Sequence, residues 1–93
     1  MSDIVMGTAT IKDPTGLHAR PAVKLARLAK KFASSVEVCS SEDGDWIDAK
    51  STNSLMKMKA RFGSDLRIRA SGDDARSAVS ELVRLISSDF RTL

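Results

Sequence analysis

Apolar residues recur with two different periods along this chain, and the changes of period mark its elements. From Ile4 to Ile11 the pattern alternates: Val5, Gly7, Ala9 and Ile11 share one face, and Met6, Thr8 and Thr10 share the other. That is a half-buried strand, and the small Gly7 and Ala9 would let a helix approach closely. From Ala19 to about Phe32 the period becomes helical, with a buried stripe of Ala22, Leu25, Ala26, Ala29 and Phe32. Lys24, Arg27, Lys30 and Lys31 lie largely off the stripe as a solvated face. Ser35–Cys39 alternates again, with Val36 and Val38 inward and Glu37 and Cys39 outward. Glu42-Asp43-Gly44-Asp45 is hairpin chemistry, followed by a short strand from Trp46 to Ala49 with Ile47 and Ala49 inward. Ser51 can cap a short helix from Thr52 to about Lys59, anchored by Leu55 and Met58 and ended by Phe62-Gly63. Asp65–Ala70 is a fourth strand, with Leu66, Ile68 and Ala70 inward. Ser71-Gly72-Asp73-Asp74 opens a last helix, with an aspartate as cap and a stripe of Ala75, Val79, Leu82, Val83, Ile86 and Phe90. Each strand has one apolar face and each helix one apolar stripe. The economical solution is an α+β fold: a four-stranded antiparallel sheet with its helices on one face and water on the other.

Composition narrows the picture. At 93 residues, 42% hydrophobic and 29% charged, the chain reads as a single globular domain spanning 1–93. It has no apolar run long enough to span a membrane and no basic-then-apolar leader, so a cytoplasmic location is expected. One cysteine and one histidine argue against a disulfide or a metal centre. The net charge of +3 suits acidic or phosphate-bearing partners, although a solvated basic surface gives the same value. With no tyrosine and few aromatics, the sheet lacks the stacking ribbon of a nucleic-acid binder. No base or cation pairs with Cys39 in the pattern, which predicts an inert thiol. Trp46 is expected to cover the open sheet beside it, with a contact surface as the alternative.

The candidate chemistry lies in Gly16-Leu17-His18-Ala19-Arg20-Pro21-Ala22-Val23. Asp13-Pro14-Thr15-Gly16 is a turn that delivers His18 to a helix start. Pro21 fits the opening turn, where an absent N–H costs nothing. The unpaired amides and the helix dipole make that end attractive to a phosphate. Arg20 adds a forked cation. A nearby partial positive charge disfavours imidazolium, leaving a neutral ring whose lone pair can attack phosphorus. The field then favours the anionic product by about 0.3–1 kcal/mol, a modest hold that suits a reversible carrier. A cap or a plain surface residue is the alternative for this histidine, and local chemistry leaves both open.

The stretch Gly16-Leu17-His18-Ala19-Arg20-Pro21-Ala22 resembles the active-site signature of the HPr family, the histidine phosphocarriers of the phosphoenolpyruvate-dependent phosphotransferase system. The turn at 13–16, the hairpin, Ala49-Lys50-Ser51, Ala70-Ser71-Gly72 and the final helix extend the resemblance over almost the whole chain. It implies a βαββαβα open-faced sandwich and a carrier that is not itself an enzyme. Phosphorylated enzyme I would pass its phosphoryl group to His18, through Nδ1, and the carrier would pass it to a IIA domain. Arg20 would steady the group, and the backbone donors of Ala19 and Arg20 would hold its oxygens. No metal or organic cofactor is implied, nor membrane insertion, and a monomer is expected. Ser51 matches the serine that a kinase phosphorylates, and a phosphorylase restores, in some members; its other reading is a helix cap. The chain departs from the family where an apolar docking pair usually follows that serine. Here Thr52-Asn53-Ser54 is polar and the apolar residues return at Leu55-Met56, so Thr52, Asn53, Leu55 and Met56 are the candidate docking residues. The hairpin is slightly longer and Thr15 replaces a frequent asparagine. These changes bear on the partner and suit a dedicated relay, such as nitrogen regulation or a dihydroxyacetone kinase subunit. Three rival functions remain at this point. A docking module controlled at Ser51 would not need His18. An acylphosphatase would need an arginine in its phosphate loop, which Asp13–Gly16 lacks. An RNA-binding sheet would need the missing aromatics.

Overall fold

The computed structural model describes residues 4–40, 44–58 and 60–91. Its elements are β1 (Ile4–Thr10), α1 (Ala19–Lys30), β2 (Ser35–Ser40), β3 (Ile47–Asp48), α2 (Thr52–Met58), β4 (Asp65–Ser71) and α3 (Ala75–Ser87). The four strands form one antiparallel sheet in the order β1-β4-β2-β3. Gly7 pairs with Ile68, Val38 with Ile68 on the other side, and Glu37 with Asp48. The alternation expected from sequence is present: Val36, Val38, Leu66, Ile68 and Ala70 are buried, while Met6, Thr8, Thr10 and Arg67 are exposed. The three helices cover the apolar face as an open-faced sandwich. Leu25 of α1, Leu55 of α2, and Leu82, Leu85 and Ile86 of α3 are fully buried against it. Leu28 joins the α1 stripe, which extends beyond the positions first expected. No helix among the described residues is long and apolar enough to cross a membrane.

The helix ends differ from the sequence expectation for physical reasons. α1 stops at Lys30, because Lys31 and Phe32 donate to carbonyls only three residues back and tighten the last turn. Lys50 Nζ then donates to the Phe32 carbonyl at 2.8 Å, so a cation from the β3–α2 connection closes the negative end of α1. α3 stops at Ser87. Asp89 and Phe90 adopt left-handed backbones, with φ of 58° and 63°, and Phe90 N–H reaches back to Leu85 O at 2.8 Å. That reversal buries the Phe90 ring, and Lys24 Nζ donates to its carbonyl at 3.0 Å. Asp74 stands at the start of α3, but its side chain makes no capping hydrogen bond. Its carboxylate instead accepts from the Ala33 and Ser34 amides, at 2.8 and 2.9 Å, and from the Ser34 hydroxyl. The expected cap is therefore a tie between α3 and the α1–β2 connection.

Cys39 faces away from the helices, as its parity requires, yet it has no solvent exposure. The register continues so that Trp46 lies next to it, and Trp46 carries the Arg69 and Arg67 guanidiniums at 4.2 and 5.3 Å from its ring centroid. Arg67 Nη2 also donates to Cys39 Sγ at 3.3 Å. The expectation of a thiol without a cation is corrected: cross-strand pairing of β2 with β4 brings Arg67 to it. The hairpin residues Glu42 and Asp43 and the expected helix end Lys59 lie outside the described residues. Gly44 N–H does close on Ser40 O at 3.1 Å.

Candidate functional site

The site is built from the connection between β1 and α1. Asp13 opens it by accepting the Thr15 amide on Oδ1 at 2.9 Å, while Gly16 N–H donates to Asp13 O at 2.8 Å. Gly16 has a φ of 81° and lies against the Ala60 backbone, where an added Cβ would stand 2.5 Å from the carbonyl oxygen. Only glycine meets both demands. Leu17 N–H then donates to the same Ala60 carbonyl at 2.9 Å. This pins the turn to the segment that follows α2 and fixes where the next residue emerges.

That residue is His18, at the N-cap position of α1 with an extended backbone. Its side chain does not cap the helix. The ring turns back, and Nε2 lies 3.1 Å from Asp13 Oδ2. An ionised carboxylate can only accept, so the ring proton of a neutral imidazole in this pose sits on Nε2 and the lone pair is on Nδ1. The Asp13 carboxyl is held below its usual range, first by the Thr15 amide and next by the His18 ring. The His18 side chain is 40% exposed, which leaves it open to a partner. The first intrahelical bond runs from Ala22 N–H to His18 O, so the Ala19 and Arg20 amides precede the hydrogen-bonded ladder. Pro21 is buried in the first turn, and Arg20 is exposed beside it.

Around the ring the surface forms an open groove of about 440 Å³, lined by Thr15, His18, Met56, Arg61 and Phe62 among others. Met56 and Phe62 are 42% and 62% exposed. Met56, a docking candidate from the sequence, lines this groove. In the sequence Phe62 marks only a helix end, although an aromatic beside a turn glycine is a signal for an exposed contact. The sequence makes Leu55 both an anchor of α2 and a docking candidate; its burial agrees with the first and corrects the second. It is wholly buried, because one position along a helix turns a side chain about 100° and Leu55 takes the core-facing side of α2. Ser51, Thr52 and Asn53 sit at the start of α2 and do not line the groove. Ser51 Oγ accepts the Ser54 amide at 3.2 Å, so the capping reading holds in the structure. From the sequence Asp13 is turn chemistry alone. Its reach to His18 depends on how the turn folds back.

Comparison with known proteins places this geometry. The family described as PTS HPr component phosphorylation site matches residues 5–88. The phosphocarrier protein HPr of Cupriavidus necator is 38% identical over 81 residues, covering 87% of this chain and 89% of the relative. A second relative is the phosphoryl donor subunit DhaM of the PEP-dependent dihydroxyacetone kinase of Providencia stuartii. It is 35% identical over 86% of this chain, which spans 16% of that protein's length. The crystal structure of HPr-C-His from Thermoanaerobacter tengcongensis superposes with a TM-score of 0.84 at 37% identity, covering 92% of this chain and 94% of that one. The relatives' printed names are those of phosphocarriers and phosphoryl donors, which favours a relay over a docking module governed by Ser51. An exposed histidine ahead of an anion-attracting helix end, within a match that runs through nearly all of the sequence and the fold, makes this chain a member of the HPr family, the phosphocarriers of the phosphotransferase system.

Proposed function

We propose that His18 accepts the phosphoryl group on Nδ1 from phosphorylated enzyme I and returns it to a IIA-type domain or an equivalent acceptor. The observation that carries this reading is the pose of the ring: Nε2 engaged by Asp13 at 3.1 Å, and the side chain open to solvent at the start of α1. The Ala19 and Arg20 amides hold the phosphoryl oxygens, and Arg20 supplies the mobile cation. Nucleophile and anion cradle both belong to the chain, so the carrier needs no metal or organic cofactor of its own. It is an intermediate between enzymes, acting as a cytoplasmic monomer with 1–93 as one domain. Docking is transient, because the carrier must leave one partner to meet the next. Met56 and Phe62 supply the apolar contact, with Thr52 and Asn53 contributing from the start of the same helix as Met56. The DhaM relative makes a dihydroxyacetone kinase relay a candidate branch.

Intact-protein mass spectrometry tests the reading. The chain is incubated with phosphoenolpyruvate, magnesium and a cognate enzyme I beside a His18→Ala variant. One acid-labile phosphoryl group on the wild type, and none on the variant, is the expected outcome. An unmodified wild type, with the enzyme I active on another carrier, would overturn it.

A further inference from the structure

We propose that Asp13 is a positioning residue for phosphoryl transfer: by holding the Nε2 proton of His18 throughout the cycle, it keeps Nδ1 as the nucleophile and the phosphorylated ring as a good leaving group. The inference rests on the reading of His18 as the phosphoryl acceptor and assigns to its neighbour a role of its own.

The geometry divides the carboxylate between two tasks. Oδ1 accepts the Thr15 amide at 2.9 Å and fixes the side chain within its own turn. Oδ2 is thereby aimed at His18 Nε2, 3.1 Å away. The Asp13 side chain is 24% exposed, so water competes only partly for that contact. The turn itself cannot drift, since Gly16 and Leu17 are seated on the Ala60 carbonyl. Charged side chains near the ring include Asp13 on the β1–α1 turn, Arg20 on α1 and Arg61 on the α2–β4 connection, the last lining the His18 groove, while Lys12 precedes Asp13 in the chain and Lys57 follows Met56. Of these, Asp13 is the anion, and it meets the ring nitrogen opposite the one that reacts.

The consequences follow from bond accounting. In uptake, the Nδ1 lone pair forms the new N–P bond. The P–N bond of the donor phosphohistidine breaks, and its electron pair returns to the donor ring. No proton leaves His18, so the product ring carries the phosphoryl group on Nδ1 and hydrogen on Nε2, and it is cationic. A carboxylate against that N–H stabilises the cationic ring. In delivery, the ring then departs as a neutral imidazole and not as an imidazolide. The same contact therefore serves both directions, which a carrier requires.

Asp13→Asn tests the idea while keeping the turn. Its amide oxygen can still accept the Thr15 N–H, which turns the NH₂ group toward His18 Nε2. A donor now faces that nitrogen and favours the tautomer protonated on Nδ1, the wrong one for attack. Long-range ¹H–¹⁵N NMR of the imidazole is expected to show the Nε2–H tautomer in the neutral wild-type ring, and a shift toward Nδ1–H in the variant. Phosphoryl uptake from phosphorylated enzyme I is expected to slow roughly tenfold or more. A wild-type ring in the Nδ1–H form would overturn the proposal, and that measurement needs no variant to fold. So would a variant with an unchanged tautomer and uptake within about twofold. A wild type that takes up no phosphoryl group would overturn the carrier reading and the transfer role together; the tautomer measurement would still decide whether Asp13 sets the ring.

Discussion

Asp13 and Asp74 do similar work in different places. Each carboxylate accepts backbone amides, and each is held below the ordinary aspartate range. For Asp74 the largest cause is the Ser34 hydroxyl, followed by the Ala33 amide. A depressed pKa in the folded state means that ionised Asp74 adds stability above the ordinary aspartate range, and that this part is lost as pH falls through its folded value. Asp74→Asn is therefore expected to be less stable than the wild type near neutrality, and the gap should narrow as the pH drops below the carboxylate range. Urea denaturation at several pH values reads this directly, and a constant gap would contradict it. At this scale the sequence showed the residue types but not their partners. Asp13 could be placed in a turn and Asp74 at a helix start from neighbours alone, because those roles are local. Reaching His18, or crossing to Ser34, needed the chain to fold.

Among the elements, the contact between α3 and β1 constrains residue size at Gly7. A Cβ added at Gly7 would stand 2.7 Å from Val79 Cγ1 and 3.0 Å from Val83 Cγ2. Both neighbours are β-branched and stiff, so they cannot rotate away cheaply. Gly7→Ala is expected to destabilise the fold by about 1–3 kcal/mol, the range of overpacked cores, despite the lower chain entropy that alanine brings. Chemical denaturation checks it, and a neutral or stabilising result would mean that α3 shifts freely over the sheet. The small residue in an otherwise apolar stripe was a legible sign of this approach. Element ends were less legible. Phe32 and Phe90 continue the helical period in sequence, but α1 ends in a tightened turn and α3 in two left-handed residues. Both ends are fixed by lysines from elsewhere, Lys50 and Lys24.

At the scale of the whole molecule, three stretches far apart in sequence converge on one groove: 14–18, Met56 and 60–62. Phe62 is the more exposed of the two large apolar residues there, the other being Met56. In the proposed relay it is a contact for the phosphoryl donor, and its replacement should weaken docking without loosening the core. Phe62→Ser is expected to lower the rate of uptake at limiting enzyme I by roughly five- to thirtyfold, the effect of losing about 1–2 kcal/mol of contact. Its thermal midpoint should stay close to that of the wild type, as for other exposed positions. Unchanged uptake would move the docking surface off this groove.

The seven elements, their inward faces, the antiparallel α+β class and the histidine ahead of α1 are legible from neighbouring residues alone. These follow from periodicity, turn residues and helix-end chemistry, all of which act over a few neighbouring residues. The tertiary structure decided which elements meet. It set the strand order β1-β4-β2-β3, brought Arg67 to Cys39 and placed Met56 and Phe62 in the groove beside His18. It also seated the β1–α1 turn on Ala60, and so aimed Asp13 at the ring of His18. Those outcomes depend on long-range packing, where one set of apolar faces admits several pairings until all of them must share a single core.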